Sequence, residues 1–226
     1  SVINVVKILL SPFFDWQPTW TEAMAKVVFQ VRLPRVGAAL LVGAGLSLSG
    51  TTYQGIFKNP LVSPDLLGVS SGACVGAALA ILNGLAAGGV QVCALLGGLL
   101  AVAVTTSIPK VLRNSSALIL VLAGVIVAGF MSSALGLLKY VADPETQLPE
   151  IVFWQMGSLA TTSLGDVLAV VPAMLVSMAL LIAMRWRINI LSLGEEEACS
   201  LGINTKAVRG LAVFCSTIVT ACAVCI

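Results

Sequence analysis

Long stretches without a charged residue set the pattern of this chain. Val36 to Phe57 carries no Asp, Glu, Lys or Arg, and neither does Leu66 to Pro109. As one helix the second run would be about 66 Å long, twice the roughly 30 Å hydrocarbon core of a bilayer. It must break, and Asn83-Gly84 with Gly88-Gly89 offer the turn. Asn114 to Leu138 is a further charge-free run, and the apolar stretches from about Leu164 to Met184 and from near Val208 to Ile226 are further spans. The pattern predicts helices near 36–57, 66–82, 90–108, 115–138, 164–184 and 208–226. In lipid every backbone polar group must be paired internally, so a span is a helix or a strand of a closed barrel. Barrel strands are short and alternate apolar with polar residues. These runs are long and apolar on all sides, so the expected fold is an all-α polytopic membrane protein.

Composition narrows the function. Of 226 residues, 58% are hydrophobic and 10% charged, against roughly 25% charged in a soluble domain. That excludes a soluble enzyme, and it excludes disorder, which needs low hydrophobicity and high net charge. The net charge of +2, with no basic patch, argues against a nucleic-acid partner. Five of the six cysteines (74, 93, 199, 215, 222 and 225) fall in apolar runs and read as small core residues. Cys222 and Cys225 form a C-x-x-C pair inside an apolar stretch, with no second pair and no histidine in the chain. Neither a redox centre nor a metal site is expected from them.

Lysine and arginine orient the bundle. Loops on one side carry Lys58, Lys110, Arg113, Arg185, Arg187 and Lys206, whereas the two short loops opposite carry only Lys139. The first side is therefore read as cytoplasmic. Residues 1–35 then form an external segment, although Lys7, Lys26, Arg32 and Arg35 run against a simple count. That segment has no full span of its own, so the chain reads as a fragment whose upstream helix carried it across. Small residues line the first span, with Gly43/Ser47 and Gly45/Ser49 spaced for close helix packing. The same smooth face could let helices slide.

The spans hold no acidic or basic group at mid-depth; Asp166 approaches one, near its end. Ion-coupled carriers place such groups within the bilayer. No G-x-x-x-x-G-K-[ST] loop is present to cradle a nucleotide. Uphill transport would need energy from another subunit.

Four connecting segments carry candidate chemistry. In 188–207, Ser192 and Glu195 have capping-box spacing, Glu195, Glu196 and Glu197 suit a first helical turn, and Gly202 suits a left-handed stop. Asn204 or Thr205 can cap the helix that follows. A short helix at the membrane surface is either a solvated connector or a docking element. In Lys58-Asn59-Pro60-Leu61-Val62-Ser63-Pro64-Asp65, Pro60 restrains Asn59 and Ser63-Pro64 start the next span. Arg32 and Arg35 stand at the mouth of the first span, where they anchor the helix or meet carboxylates of an external partner. Segment 139–163, with amphipathic Ile151-Val152-Phe153-Trp154, is expected along the outer surface.

Three of these stretches resemble one family. RLPRVGAALLVGAGLSLSGTTYQGIFKNPLVSPDLLGVSSGA (32–73), FWQMGSLATTSLGDV (153–167) and LSLGEEEACSLGIN (191–204) look like the signatures of FecCD-type permeases of type II ABC importers, in the right order along essentially the whole chain. The resemblance implies a ten-helix permease, of which this chain would lack the first helix and about the last three. It also implies a second permease copy, identical or closely related, two cytosolic ATPases that hold the ATP and magnesium, and an extracytoplasmic substrate-binding protein, all at a prokaryotic inner membrane. No cofactor is expected on this chain. Arg32 and Arg35 match arginines that meet the binding protein. Leu193, Gly194, Glu195, Glu196, Ala198, Leu201 and Gly202 match the coupling helix that fits the ATPase. Asn59, Pro60 and Leu61 match a cytoplasmic gate, and Ser115 and Ser116 a second one. Gln54, Ser70 and Ser71 are expected along a neutral path used in alternating access. An iron-siderophore is the first expected substrate, with haem, cobalamin or an oxyanion such as molybdate behind it. The rival readings are a passive channel, an ion-coupled carrier and a scaffold.

Overall fold

The computed structural model describes residues 2–11, 20–60, 62–112, 117–160 and 162–226. Among the described residues there is no strand. The six expected helices are present as α3 (Leu33–Phe57), α4 (Val69–Leu82), α5 (Ala87–Val111), α6 (Ala117–Val141), α8 (Leu164–Ala183) and α11 (Thr205–Val224). Shorter elements join them: α1 (Val2–Leu10), α2 (Glu22–Lys26), α7 (Gln147–Met156), α9 (Arg185–Leu193) and α10 (Glu195–Ser200). Four helices are long and apolar enough to cross a membrane, and α8 with α9, bent by 55°, makes a fifth. The exception is α4. Its 14 residues reach only about 21 Å, short of the hydrocarbon core.

The first span starts earlier than its charge pattern suggests. Residues Glu22–Phe57 form one continuous helix, so Arg32 and Arg35 sit on its shaft and not at its mouth. Thr21 caps its start by accepting the Met24 amide, and Lys26 pairs with Glu22 at 2.9 Å. Pro34 has no N–H to continue the ladder. The helix absorbs it by widening into a π-helical segment, Val27–Arg32, closed by the Leu33 amide on the Val28 carbonyl. A proline next to a charged pair reads as a helix start, which hides this continuity in the sequence.

The expected turn after α4 forms at Asn83-Gly84. Gly84 is left-handed (φ 67°), and the Gly84 and Leu85 amides close on the Ile81 and Ala80 carbonyls. Gly88 and Gly89 instead belong to the first turn of α5. At the other end of α4, Ser63 and Pro64 start only a 3-10 turn, Pro64–Leu67, with no Ser63 side-chain cap. Left-handed Gly68 (φ 79°) then redirects the chain, and Asp65 accepts the Ser70 amide at 3.2 Å.

Two apolar clusters hold the bundle. One gathers Tyr53 and Phe57 of α3, Met174 and Leu181 of α8, Leu191 of α9 and Val219 of α11. The other joins Ala73 and Ala77 of α4, Ala94 of α5, Leu135 of α6 and Ile151 of α7. The closest crossing is α4 on α5. A Cβ on Gly72 would lie 2.5 Å from the Gly97 carbonyl oxygen, and one on Gly76 would collide with that of Cys93. This Gly-x-x-x-Gly pair lets the backbones touch. By contrast Gly43 meets nothing within 4 Å, while Gly45 lies against Met174 and Val219. Outward faces carry large apolar side chains, among them Leu96 and Leu100 on α5 and Leu122, Ile126 and Phe130 on α6. A water-facing patch of this extent would drive association; against lipid tails it is neutral.

Candidate functional site

The chain's own connectivity gives the bundle two ends. At one end lie the close of α3, the 3-10 turn, and α9 with α10. Here α9 folds back against α3 and buries Ile188, Ile190 and Leu191. The expected capping box does not form. Ser192 is still inside α9, where its hydroxyl donates to the Asn189 carbonyl at 2.6 Å. Gly194, extended at φ 175° and ψ 156°, takes the N-cap position of α10. Glu197, three residues on, folds its carboxylate over Gly194, where any Cβ would collide with it. A larger residue at 194 would displace the Glu197 carboxylate, which can swing outward from its exposed position.

The far end of α10 stops as expected. Gly202 is left-handed (φ 74°), the Gly202 amide donates to Cys199 at 2.9 Å and the Ile203 amide to Ala198 at 3.0 Å. These two bonds define a Schellman stop. Asn204 then caps α11 by accepting the Ala207 amide at 3.1 Å. The result is a two-turn helix fenced by glycines, with Ala198 buried inward and Glu196, Glu197, Cys199, Leu201 and Gly202 exposed. Leu193 is exposed as well. The Glu195 side chain is outside the described residues.

Beside α10 lies the 58–60 loop. Lys58 ends α3 in a left-handed conformation (φ 52°), and its ammonium donates to the Leu193 carbonyl at 3.0 Å. Gln54 donates to the Pro60 carbonyl at 3.0 Å and so closes the loop on its own helix. Asn59 and Pro60 are exposed. Leu61, Ser115 and Ser116 are outside the described residues. Ser70 and Ser71 are half-buried in the first turn of α4. Gln54 continues an exposed stripe of α3 through Gly43, Ser47 and Thr51, which at about 100° per residue fall within roughly 80° of one another. Ser47 donates to Gly43 and Thr51 to Ser47 and Leu48, so the stripe offers no idle hydroxyl donor.

Behind the stripe, α3 meets α11 through a hydroxyl ladder. Ser49 shares a hydrogen bond with Thr220 at 3.0 Å and donates to the Ser216 carbonyl at 3.2 Å. Tyr53, fully buried, shares one with Thr217 at 3.2 Å and stacks on Phe57 with ring centroids 5.9 Å apart. At the opposite end, Arg32 and Arg35 are exposed, and the Arg35 guanidinium donates to the Ala160 carbonyl. Thr162 donates to the Ile226 carbonyl at 3.1 Å. The amphipathic α7 is present with Ile151 buried and Val152 and Phe153 exposed; Trp154 is half-buried.

Sequence reasoning named Lys58 as a loop charge and Glu197 as part of an acidic first turn, but missed the contacts these side chains make, and missed the ladder. Lys58 follows a helix that ends without glycine, so nothing in the residue type marks its backbone. The Glu197 contact could have been found by counting three residues from Gly194 as the cap. The ladder residues look like ordinary small polar side chains in an apolar run. All six cysteines are free, with Cys215, Cys222 and Cys225 buried and Cys199 exposed.

Long apolar helices, lipid-suited outer faces and glycine crossings define a multi-pass helical membrane protein. Residues 1–226 match the FecCD transport family, and the chain belongs to that family. It is 41% identical over 218 residues to the molybdate import system permease protein MolB of Haemophilus influenzae, covering 93% of this chain and 65% of that one. It is 40% identical over 203 residues to a Helicobacter pylori protein described as a probable iron chelatin transport system permease protein, covering 90% and 61%. It is 35% identical over 202 residues to the hemin transport system permease protein HmuU of Yersinia pestis, covering 86% and 59%. A solved structure assigned by its description to the metal-chelate type of ABC transporter, in an inward-facing conformation, superposes with a TM-score of 0.85 at 38% identity. It covers 99% of this chain and 73% of that one. The chain spans about three fifths of the length of the curated relatives it matches.

Proposed function

We propose that this chain is part of the membrane-embedded permease of an ATP-driven importer of iron chelates. The observation that carries the reading is α10, a glycine-fenced surface helix set beside the 58–60 loop. Its two turns are held by the Ala198 amide on the Gly194 carbonyl and by a Schellman stop, so it can be pushed as a rigid unit. In this reading α10 docks into one of two cytosolic ATPases that bind Mg-ATP, Asn59 and Pro60 form the adjoining gate, and Arg32 and Arg35 receive an external binding protein. A second permease copy faces the exposed α3 stripe, so that the path between them is lined by Gly43, Ser47, Thr51 and Gln54. The charge-free middle of each long helix fits a path that passes a bulky chelate along without gripping it. The location is the inner membrane of a prokaryote.

The iron chelatin relative and the metal-chelate transporter favour an iron chelate. The molybdate relative, at nearly the same identity, supports an oxyanion as the second substrate. The test is uptake into liposomes by the full-length permease with its ATPase and binding protein. Labelled ferric siderophore, haem, cobalamin and molybdate are offered in turn. Mg-ATP-dependent accumulation of the ferric siderophore is expected. Accumulation by the permease without the ATPase rejects the importer, and exclusive uptake of molybdate moves the substrate to the oxyanion class.

A further inference from the structure

Lys58 is the one non-glycine residue with a left-handed backbone among the described residues. At this position, just past a helix end, glycine is the usual occupant because a Cβ is strained there. The backbone alone therefore gives no reason for lysine. Its side chain supplies one: the exposed ammonium reaches a helix 135 positions further along the chain and donates to the Leu193 carbonyl at 3.0 Å. That carbonyl ends α9, where the last helical oxygens lack backbone donors and the dipole is negative. A compact three-donor cation suits that place.

The two ends of the contact differ in kind. On one side, the Lys58 and Asn59 amides both close on the Gln54 carbonyl and Gln54 Nε2 holds the Pro60 carbonyl, so residues 54–60 form one closed unit. On the other side, Leu193 is followed at once by extended Gly194 and then by α10. The α9 packing against α3 also includes apolar surface, such as Ile188 against Gly55, which resists separation but transmits little pull along the helix.

We propose that Lys58 is a positioning residue that tethers the 58–60 loop to α10 through the Leu193 carbonyl, so that displacement of α10 by a cytosolic partner is passed to the loop. This rests on the reading of α10 as the docking helix. The tether acts through a side chain, so it can be removed while the backbone is kept or even relaxed.

The experiment is amide hydrogen exchange on the full-length permease assembled with its ATPase subunits in nanodiscs. Exchange is read with and without trapping by Mg-ATP and vanadate. In the wild type, trapping is expected to alter exchange over 195–203 and, by about threefold or more, over 58–62. Lys58→Arg keeps both responses. Lys58→Met and Lys58→Gly keep the response at 195–203 and lose the one at 58–62. Glycine is the informative variant, because it suits the left-handed backbone and carries no ammonium. If the loop still responds in Lys58→Met or Lys58→Gly, or fails to respond in Lys58→Arg, the tether is overturned while the docking helix stands. If 195–203 is unmoved by trapping in the wild type, the docking reading fails, and the tether with it.

Discussion

At Gly72 one methyl group decides whether two helices can meet. Its missing Cβ is what brings α4 onto the Gly97 carbonyl of α5. Gly72→Val is expected to destabilise the full-length protein by about 1–3 kcal/mol, the usual cost of overpacking. Gly43→Ala is expected to be neutral or slightly stabilising, since nothing lies within 4 Å of that position. Denaturation in mixed micelles of detergent and SDS measures both, and equal losses at the two sites would contradict the assigned crossing. The small-residue spacing of Gly43/Ser47, Gly45/Ser49 and Gly72/Gly76 is the same in the sequence. Only the second and third pairs are packed. Spacing says that a face is smooth; it does not say which faces find a neighbour.

Helix ends show which parts of the site were legible. Gly202 was, because a left-handed stop needs glycine and leaves a visible residue. Gly202→Val is expected to cost roughly 1–2 kcal/mol through its Cβ and to speed amide exchange at Ile203, whose N–H closes the stop on Ala198. Gly202→Asn should lose less, as asparagine tolerates this conformation. Unchanged exchange in the valine variant would show that the stop is held by something else. Ser192 was misread for a physical reason. Its hydroxyl can bond back to its own helix as well as cap the next one, and α9 runs one residue beyond it. The α3–α11 ladder was invisible because its hydroxyls sit in an apolar run. A double-mutant cycle with Tyr53→Phe and Thr217→Val should return about 0.6 kcal/mol of coupling, typical of hydroxyl pairs between membrane helices. Zero coupling would mean that the 3.2 Å contact contributes nothing.

For the whole molecule, the apolar runs located all six expected helices, though α4 is too short to span, because pairing every backbone group within lipid leaves little else possible. They did not show that the first helix begins at Glu22, since Arg32, Pro34 and Arg35 interrupt the apolar signal without interrupting the backbone. Orientation is checkable with a native residue. Cys199 is exposed on α10. In cells lacking the ATPase subunits, a membrane-impermeant maleimide is expected to label it only after permeabilisation, whereas Glu145→Cys, at the opposite end, should label in intact cells. Labelling of Cys199 from outside would invert the assignment and remove α10 from any cytosolic partner.

The hydroxyl ladder has one more consequence. Ser49, Tyr53, Thr217 and Thr220 hold two spanning helices together with groups that carry no net charge. Moving one elementary charge through a membrane potential involves about 2.3 kcal/mol per 100 mV. Exchanging hydroxyl partners along this seam displaces no such charge itself, so any response of the seam to the membrane potential has to come from charges elsewhere on the two helices, such as Arg35 on α3 and Arg209 on α11.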